Sequence, residues 1–330
     1  MRFNILPAML CMALLAALLV PNLHAQSNQL EQSQMAVVSF DINLEKIRNS
    51  EMAQTLDLES KIKDAAPNSD KFDPNKVKRI FGATSAPESM EEAKGYKGEG
   101  PLPVEFFARV ELIDSEAADE AISQIESKGE AVEIGGKTFY KSTDDDAPEG
   151  LLAHRVDDST IEMGTKAYLL RADRKVFTEG LNAAWKKAPD EAVKIAMDLE
   201  GASGLVAELQ KMAAENGPPS FGAYYELIGA VSDMHITIDM EGDNLLTIGM
   251  TGKSESQAED IEGGVGSLIE MGKMFGMGQV GQLKKMSPDL GGMAEQMMEA
   301  LNAGREGKDV SVKLIHPEGL AGAIKGMMGG

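Results

Sequence analysis

Apolar and polar residues alternate in several short runs, and each such run predicts a half-buried strand. Ala36, Val38 and Phe40 alternate and end in Asp41, and Val193, Ile195 and Met197 alternate and end in Asp198. Helical spacing follows each one: Leu44, Ile47, Met52 and Leu56 after the first, Leu205, Leu209 and Met212 after the second. A second pair repeats this order. Val104, Phe106, Ala108 and Val110 predict a strand, and Ala117, Ala121, Ile122 and Ile125 a helix behind it. Leu246, Ile248 and Met250 predict another strand, followed by a helix through Ala258, Ile261, Val265, Leu268 and Ile269. Phe106 to Leu246, Val110 to Met250 and Ala118 to Ala258 are each 140 positions apart, whereas Asp41 to Asp198 is 157. These offsets predict a duplication whose second copy has a shorter middle. Chance recurrence of a common strand–helix pattern is the rival explanation.

Turn and cap residues divide the rest. Asp73 before Pro74 predicts a helix start with proline at the first helical position. Asp114, with Glu116 in the first turn, predicts another helix, which Gly129 ends. Three hairpins are predicted, at Gly135-Gly136, at Asp157-Asp158 and at Gly242-Asp243-Asn244. Ala167 to Leu170 predicts a strand, Val176 to Trp185 a helix, and Val310, Val312 and Leu314 a last strand before a short final helix. Asp57 to Asp70 and Thr84 to Glu99 read as polar connections.

Hairpins imply antiparallel pairing, and helices interspersed among them imply an α+β fold. The expected architecture is two related modules, each an antiparallel sheet covered by helices on one face. Residues 36–188 form the first module. Residues 189–330 form the second, with a Met/Gly-rich insertion at 271–306.

The N-terminus changes the picture of location. Arg2 precedes a run from Ile5 to Val20 that is apolar apart from Pro7, and Ala25 offers a small residue for cleavage before Gln26. This is the layout of a secretory signal peptide over 1–25, followed by a linker over 26–35, and it predicts export to the periplasm, cell envelope or medium. A retained anchor needs about 20 apolar residues, and this run is shorter. The only cysteine, Cys11, lies inside the run instead of ending it, which disfavours a lipoprotein signal. A chain cleaved near Ala25 has no disulfide, thiolate nucleophile or cysteine-ligated metal.

Charge narrows the partners. The formal net charge is −21, and the first 25 residues contribute Arg2 and no acid. Such a surface repels nucleic acid and anionic lipid, so neither is an expected partner. Asp144, Asp145 and Asp146 lack the alternating spacing of a calcium loop and read as an ordinary loop.

Few motifs survive inspection. Gly276-Met277-Gly278-Gln279-Val280-Gly281 spells the dinucleotide fingerprint, but a helical run precedes it where a strand is required. These glycines are read instead as ending that helix and opening a flexible loop. Gly136-Lys137-Thr138 and Gly252-Lys253-Ser254 lack the earlier glycine of a phosphate loop, since Ala131 and Thr247 stand there. His154, His235 and His316 are scattered, with no His-Glu-x-x-His run and no Gly-x-Ser-x-Gly elbow. No catalytic, cofactor-binding or metal-binding residue is assigned, and no cofactor is expected.

One stretch stands out. Met271, Met274, Met277, Met286, Met293, Met297 and Met298 crowd a glycine-rich segment. Met271, Met274, Met293, Met297 and Met298 are the candidate contact residues for a protein or envelope partner, because thioether side chains adapt in shape. The competing readings are a helix that merely covers the sheet and, more remotely, a soft copper(I) site.

The signal peptide, the Ala36–Asp41 strand, the Asp73-Pro74 helix start and the Val104–Leu112 strand with its helix weakly resemble uncharacterised bacterial exported proteins built of two related α+β modules. The resemblance implies an architecture and no activity. Two functions are therefore weighed: an exported non-catalytic protein that binds a partner, envelope component or apolar ligand, and an exported hydrolase with a dispersed site. The missing motifs favour the first.

Overall fold

The computed structural model describes residues 35–57, 60, 73–87, 104–142, 150–170, 177–216 and 227–328. The predicted signal, the linker up to residue 34, the Asp144–Asp146 cluster and most of 57–70 and 84–99 lie outside these residues. Among the described residues twelve strands form one mixed α/β fold around a single antiparallel sheet. In chain order they are β1 (Ala36–Asn43), β2 (Val77–Ser85), β3 (Phe106–Leu112), β4 (Gly129–Ile134), β5 (Lys137–Ser142), β6 (Leu151–Arg155), β7 (Thr160–Thr165), β8 (Val193–Asp198), β9 (Val231–Ile238), β10 (Asn244–Gly252), β11 (Asn302–Glu306) and β12 (Asp309–Ile315). Their order across the sheet is β11-β12-β10-β9-β8-β1-β2-β3-β7-β6-β5-β4. The central pair joins the two flanks: Val38 faces Met197, Phe40 faces Ile195 and Ile42 faces Val193.

The helices among the described residues are α1 (Leu44–Asn49), α2 (Glu51–Leu56), α3 (Ser115–Ser127), α4 (Lys166–Leu169), α5 (Glu179–Lys187), α6 (Ser203–Asn216), α7 (Glu255–Met286), α8 (Pro288–Ala300) and α9 (Leu320–Met328). Helix starts follow the cap chemistry. Asp114 Oδ1 accepts from Ala117 N–H at 2.8 Å, and Ser254 Oγ accepts from Gln257 N–H at 3.2 Å.

The sheet is covered on both faces, which corrects the expectation of one covered face. On one face Ala117, Ala118 and Ile122 of α3 bury against Phe40, Ile80, Val110 and Ile161. Ala258 and Ile261 of α7 extend this layer over Val231 and Val310. On the other face Leu181 and Ala184 of α5 pack on Ala83, Phe107, Phe139, Leu152 and Ala196. The physical reason is visible in adjacent residues. Ile80 and Phe81, like Phe106 and Phe107, point to opposite faces, so these central strands are apolar on both sides. Phe81 stacks edge-on against Trp185 of α5 with ring centroids 5.8 Å apart.

Four local expectations also change. Ala167–Leu170 is not a strand: residues 167–169 belong to the one-turn helix α4, Leu170 is its C-cap, and Tyr168 and Leu169 are buried beneath the α5 side. Asp73-Pro74 opens only a single 3-10 turn, Pro74–Lys76, before the chain enters β2. Thr84 and Ser85 are the buried end of that strand rather than a polar connection. Gly129 starts β4, because Lys128 already caps α3. A methyl group at Gly129 would sit 2.8 Å from the Ile125 carbonyl.

Candidate functional site

The methionine-rich segment forms a helical hairpin. No loop opens at Gly276–Gly281: α7 runs unbroken for 32 residues, about 48 Å, and the turn falls at Ser287-Pro288. Proline disfavours a helical residue before it, and Ser287 is extended with φ −146° and ψ 105°. Its hydroxyl caps α8, and its own N–H bonds back to the Leu283 carbonyl.

The glycines divide by what they face. A Cβ at Gly291 would lie 2.6 Å from both Cα and N of Lys284, and one at Gly276 would lie 2.5 Å from Cε of Met298. These two glycines let α7 and α8 approach closely, around the buried Val280 and Leu290. At Gly272, Gly278 and Gly281 an added Cβ meets nothing within 4 Å. Packing against α8 thus holds the helix together despite residues of poor helix propensity.

The candidate methionines divide in the same way. Met293, Met297 and Met298 of α8 are half-buried, Met293 approaching Gly319 and Met298 lying over Gly276. Met271 is half-buried as well. Met274 is 74% exposed, and beside it stand Phe275 at 76% and Met277 at 43%. Phe275 and Met277 were not among the residues picked from sequence. Only the phase of an unbroken helix could have found them, and the glycine-loop reading removed that phase.

The polar clusters are closed. Glu162 lies between His154 and Arg109 in the sheet register. Arg109 Nη2 donates to Glu162 Oε1 at 3.3 Å, and His154 Nε2 lies 3.2 Å from Oε2. His154 Nδ1 is 3.1 Å from the Arg155 carbonyl, and its ring sits 4.6 Å from Phe139. The side chains of His154 and Glu162 are 5% and 1% exposed, so the pair is buried in the sheet. His235 lies on β9, six strand spacings from His154, on the order of 29 Å. It is half-buried over Gly249, and burial pushes its pKa below the ordinary imidazole value against the pull of Asp233.

Close by, Lys187 Nζ donates to Thr251 Oγ1 at 2.6 Å and to Asp309 Oδ1 at 2.8 Å. The single Thr251 hydroxyl proton is shared between Asp309 Oδ1 at 2.8 Å and Asp233 Oδ1 at 3.0 Å, and Ser232 donates to Asp233 Oδ2 at 2.8 Å. Burial alone would raise the Asp309 pKa, but the hydrogen bonds from Lys187 and Thr251 hold it below the usual carboxylate value. This network ties the end of α5 to β9, β10 and β12. A groove of about 440 Å³ runs beside the end of α3, and its lining includes Ile122, Glu126, Tyr140, His154, Arg155 and Val156. Its Tyr140 hydroxyl is already committed to Glu126 at 2.5 Å. Among the described residues no three His, Cys, Asp or Glu side chains converge as a metal site, and no helix is long and apolar enough to cross a membrane.

No family model matches the chain, and no curated protein does. Solved structures of the Treponema protein TP0453 are similar over nearly the whole length. Crystal form I aligns at 11% identity and a TM-score of 0.40, covering 92% of this chain and 98% of that one. Form IV aligns at 12% and 0.40, covering 91% and 97%. Form III aligns at 11% and 0.39, covering 91% and 99%.

Proposed function

We propose that this is an exported, non-catalytic binding protein whose contact surface is the outer face of α7. The observation that carries this reading is the adjacent exposure of Met274, Phe275 and Met277; among the described residues the other exposed large apolar side chains are Ile113, Val156 and Leu170. Contiguous exposed apolar residues on a soluble fold mark interaction sites more often than accidents. The closed state of the His154–Glu162 pair supports the non-catalytic part, and the Arg2–Ala25 pattern supports export.

Cell fractionation tests the reading. The mature chain should begin close to Gln26 and be retained with the envelope fraction. The variant M274S/F275S/M277S should be exported and folded but released. Equal retention of both forms would refute the contact surface, and an uncleaved cytosolic product would refute export.

We also propose that residues 36–188 and 189–330 are related copies. The order β1-β2-β3-β7-β6 on one flank parallels β8-β9-β10-β12-β11 on the other, with β4-β5 extra in the first. The capping residues Asp114 and Ser254, each two positions after its strand, keep the 140-residue offset. Superposing β1–β3 on β8–β10 in an experimental structure should bring the starts of α3 and α7 together, with Phe106 near Leu246. Starts at unrelated sheet positions would refute the duplication.

A further inference from the structure

We propose that the outer face of α7 seats in the headgroup region of a phospholipid bilayer with zwitterionic lipids. This rests on the reading of that face as the contact surface and names its partner. Met274, Phe275 and Met277 project from one turn of the helix, and Gly278 and Gly281 continue the same side with open space beyond their Cα atoms. The backbone can therefore come close to whatever the side chains enter. No helix of the described residues can span a bilayer, so this one lies along the surface with its apolar face inward.

Charge selects the surface. The chain has 53 acids, yet none falls between Glu270 and Asp289, the longest acid-free run after Glu31. The nearest carboxylate on that side is Glu270, one turn before Met274, and Lys273 already pairs with it. The run carries Lys273, Lys284 and Lys285. Lys273 is paired with Glu270 at 3.1 Å and Lys284 with Glu295 at 2.6 Å, so the local charge is nearly balanced. Exposed Lys285 stands at the end of the same face, within reach of a lipid phosphate. A balanced, apolar face on a body of net charge −21 suits zwitterionic lipid, since an anionic surface would repel the body.

Area argues against a second copy as the occupant. Three exposed side chains offer a few hundred Å², while a stable dimer buries about 800 Å² on each partner. Insertion into a bilayer has no such requirement, because each apolar side chain contributes on its own.

Flotation of the chain lacking residues 1–25 with phosphatidylcholine vesicles, at about 0.15 M salt, tests the proposal. The protein should float with the vesicles. M274S/F275S/M277S should lose roughly tenfold or more in partitioning, with unchanged circular dichroism and melting. Phosphatidylglycerol added to the vesicles should weaken binding, and salt should restore it. Failure of the unaltered protein to float, or equal flotation of the variant, overturns the proposal. If flotation fails while envelope retention still depends on these three residues, the contact surface stands and its partner is not lipid. A concentration-dependent dimer in sedimentation that the variant abolishes would instead identify a second copy and overturn the bilayer assignment.

Discussion

Replacing Gly291 by alanine tests whether α7 and α8 form the close-packed hairpin on which the contact surface depends. The new methyl group would fall 2.6 Å from Cα and N of Lys284, both backbone atoms that no rotamer change can move. Ordinary contact begins near 3.4 Å, so the helices must separate by about an ångström, at an overpacking cost of about 1–3 kcal/mol. Alanine recovers about 1 kcal/mol of helix propensity, which leaves a net loss of up to about 2 kcal/mol. Gly278→Ala is the matched control. Its added methyl meets nothing within 4 Å, so the propensity gain is unopposed, and stability should rise by about 1 kcal/mol. Urea unfolding followed by circular dichroism measures both, and hydrogen exchange over 276–300 locates the effect. Gly291→Ala should loosen the hairpin while Gly278→Ala protects it. Equal stabilisation by both would refute the packing of Gly291 on Lys284.

Leu181 is fully buried under the sheet, so Leu181→Ala should cost about 2–5 kcal/mol in urea unfolding; a loss below about 1 kcal/mol would mean that α5 does not cover that face. Glu162→Ala removes the carboxylate that Arg109 and His154 share and should destabilise by roughly 3 kcal/mol, whereas a neutral effect would show that the pair contributes nothing. His235 has its pKa lowered by burial, so below about pH 6.5 the unfolded chain takes up a proton that the folded chain resists. Stability should fall as pH drops through that range, and His235→Gln should flatten the fall when urea midpoints at pH 5 and 7.5 are compared. An identical pH slope in the variant would assign the effect to other groups.

Period-2 alternation located β1, β3, β8, β10 and β12, since each carries apolar residues at every second position toward one layer. The hairpins β4–β5, β6–β7 and β9–β10 were legible from their turn residues. β2 was not, because Ile80-Phe81 and Ala83-Thr84 are buried on both faces and show no alternation. β11 was hidden for the opposite reason: Asn-Ala-Gly-Arg-Glu is an exposed edge with no apolar stripe. The continuity of the sheet rests on the β1–β8 pairing, a long-range contact that local pattern does not encode.

The candidate site was legible as a region and not as a surface. Methionine density marked 271–298, but which side chains face outward depends on the helical phase of α7. Glycine propensity argued for a break there, and α7–α8 packing at Gly276 and Gly291 overrides it. Met293, Met297 and Met298 belong to that packed side, while Phe275 lies beside Met274 on the exposed one.

The central claim is that the outer face of α7 enters an apolar environment at the envelope. Once residues 1–25 are removed, no cysteine remains, so Phe275→Cys carries a single environment-sensitive fluorophore, with Lys313→Cys at an exposed position of β12 as its control. Mixing each labelled protein with isolated envelope membranes should shift the emission at position 275 to the blue and leave position 313 unchanged. No shift at 275, or equal shifts at both positions, would contradict the assignment of this face as the contact surface.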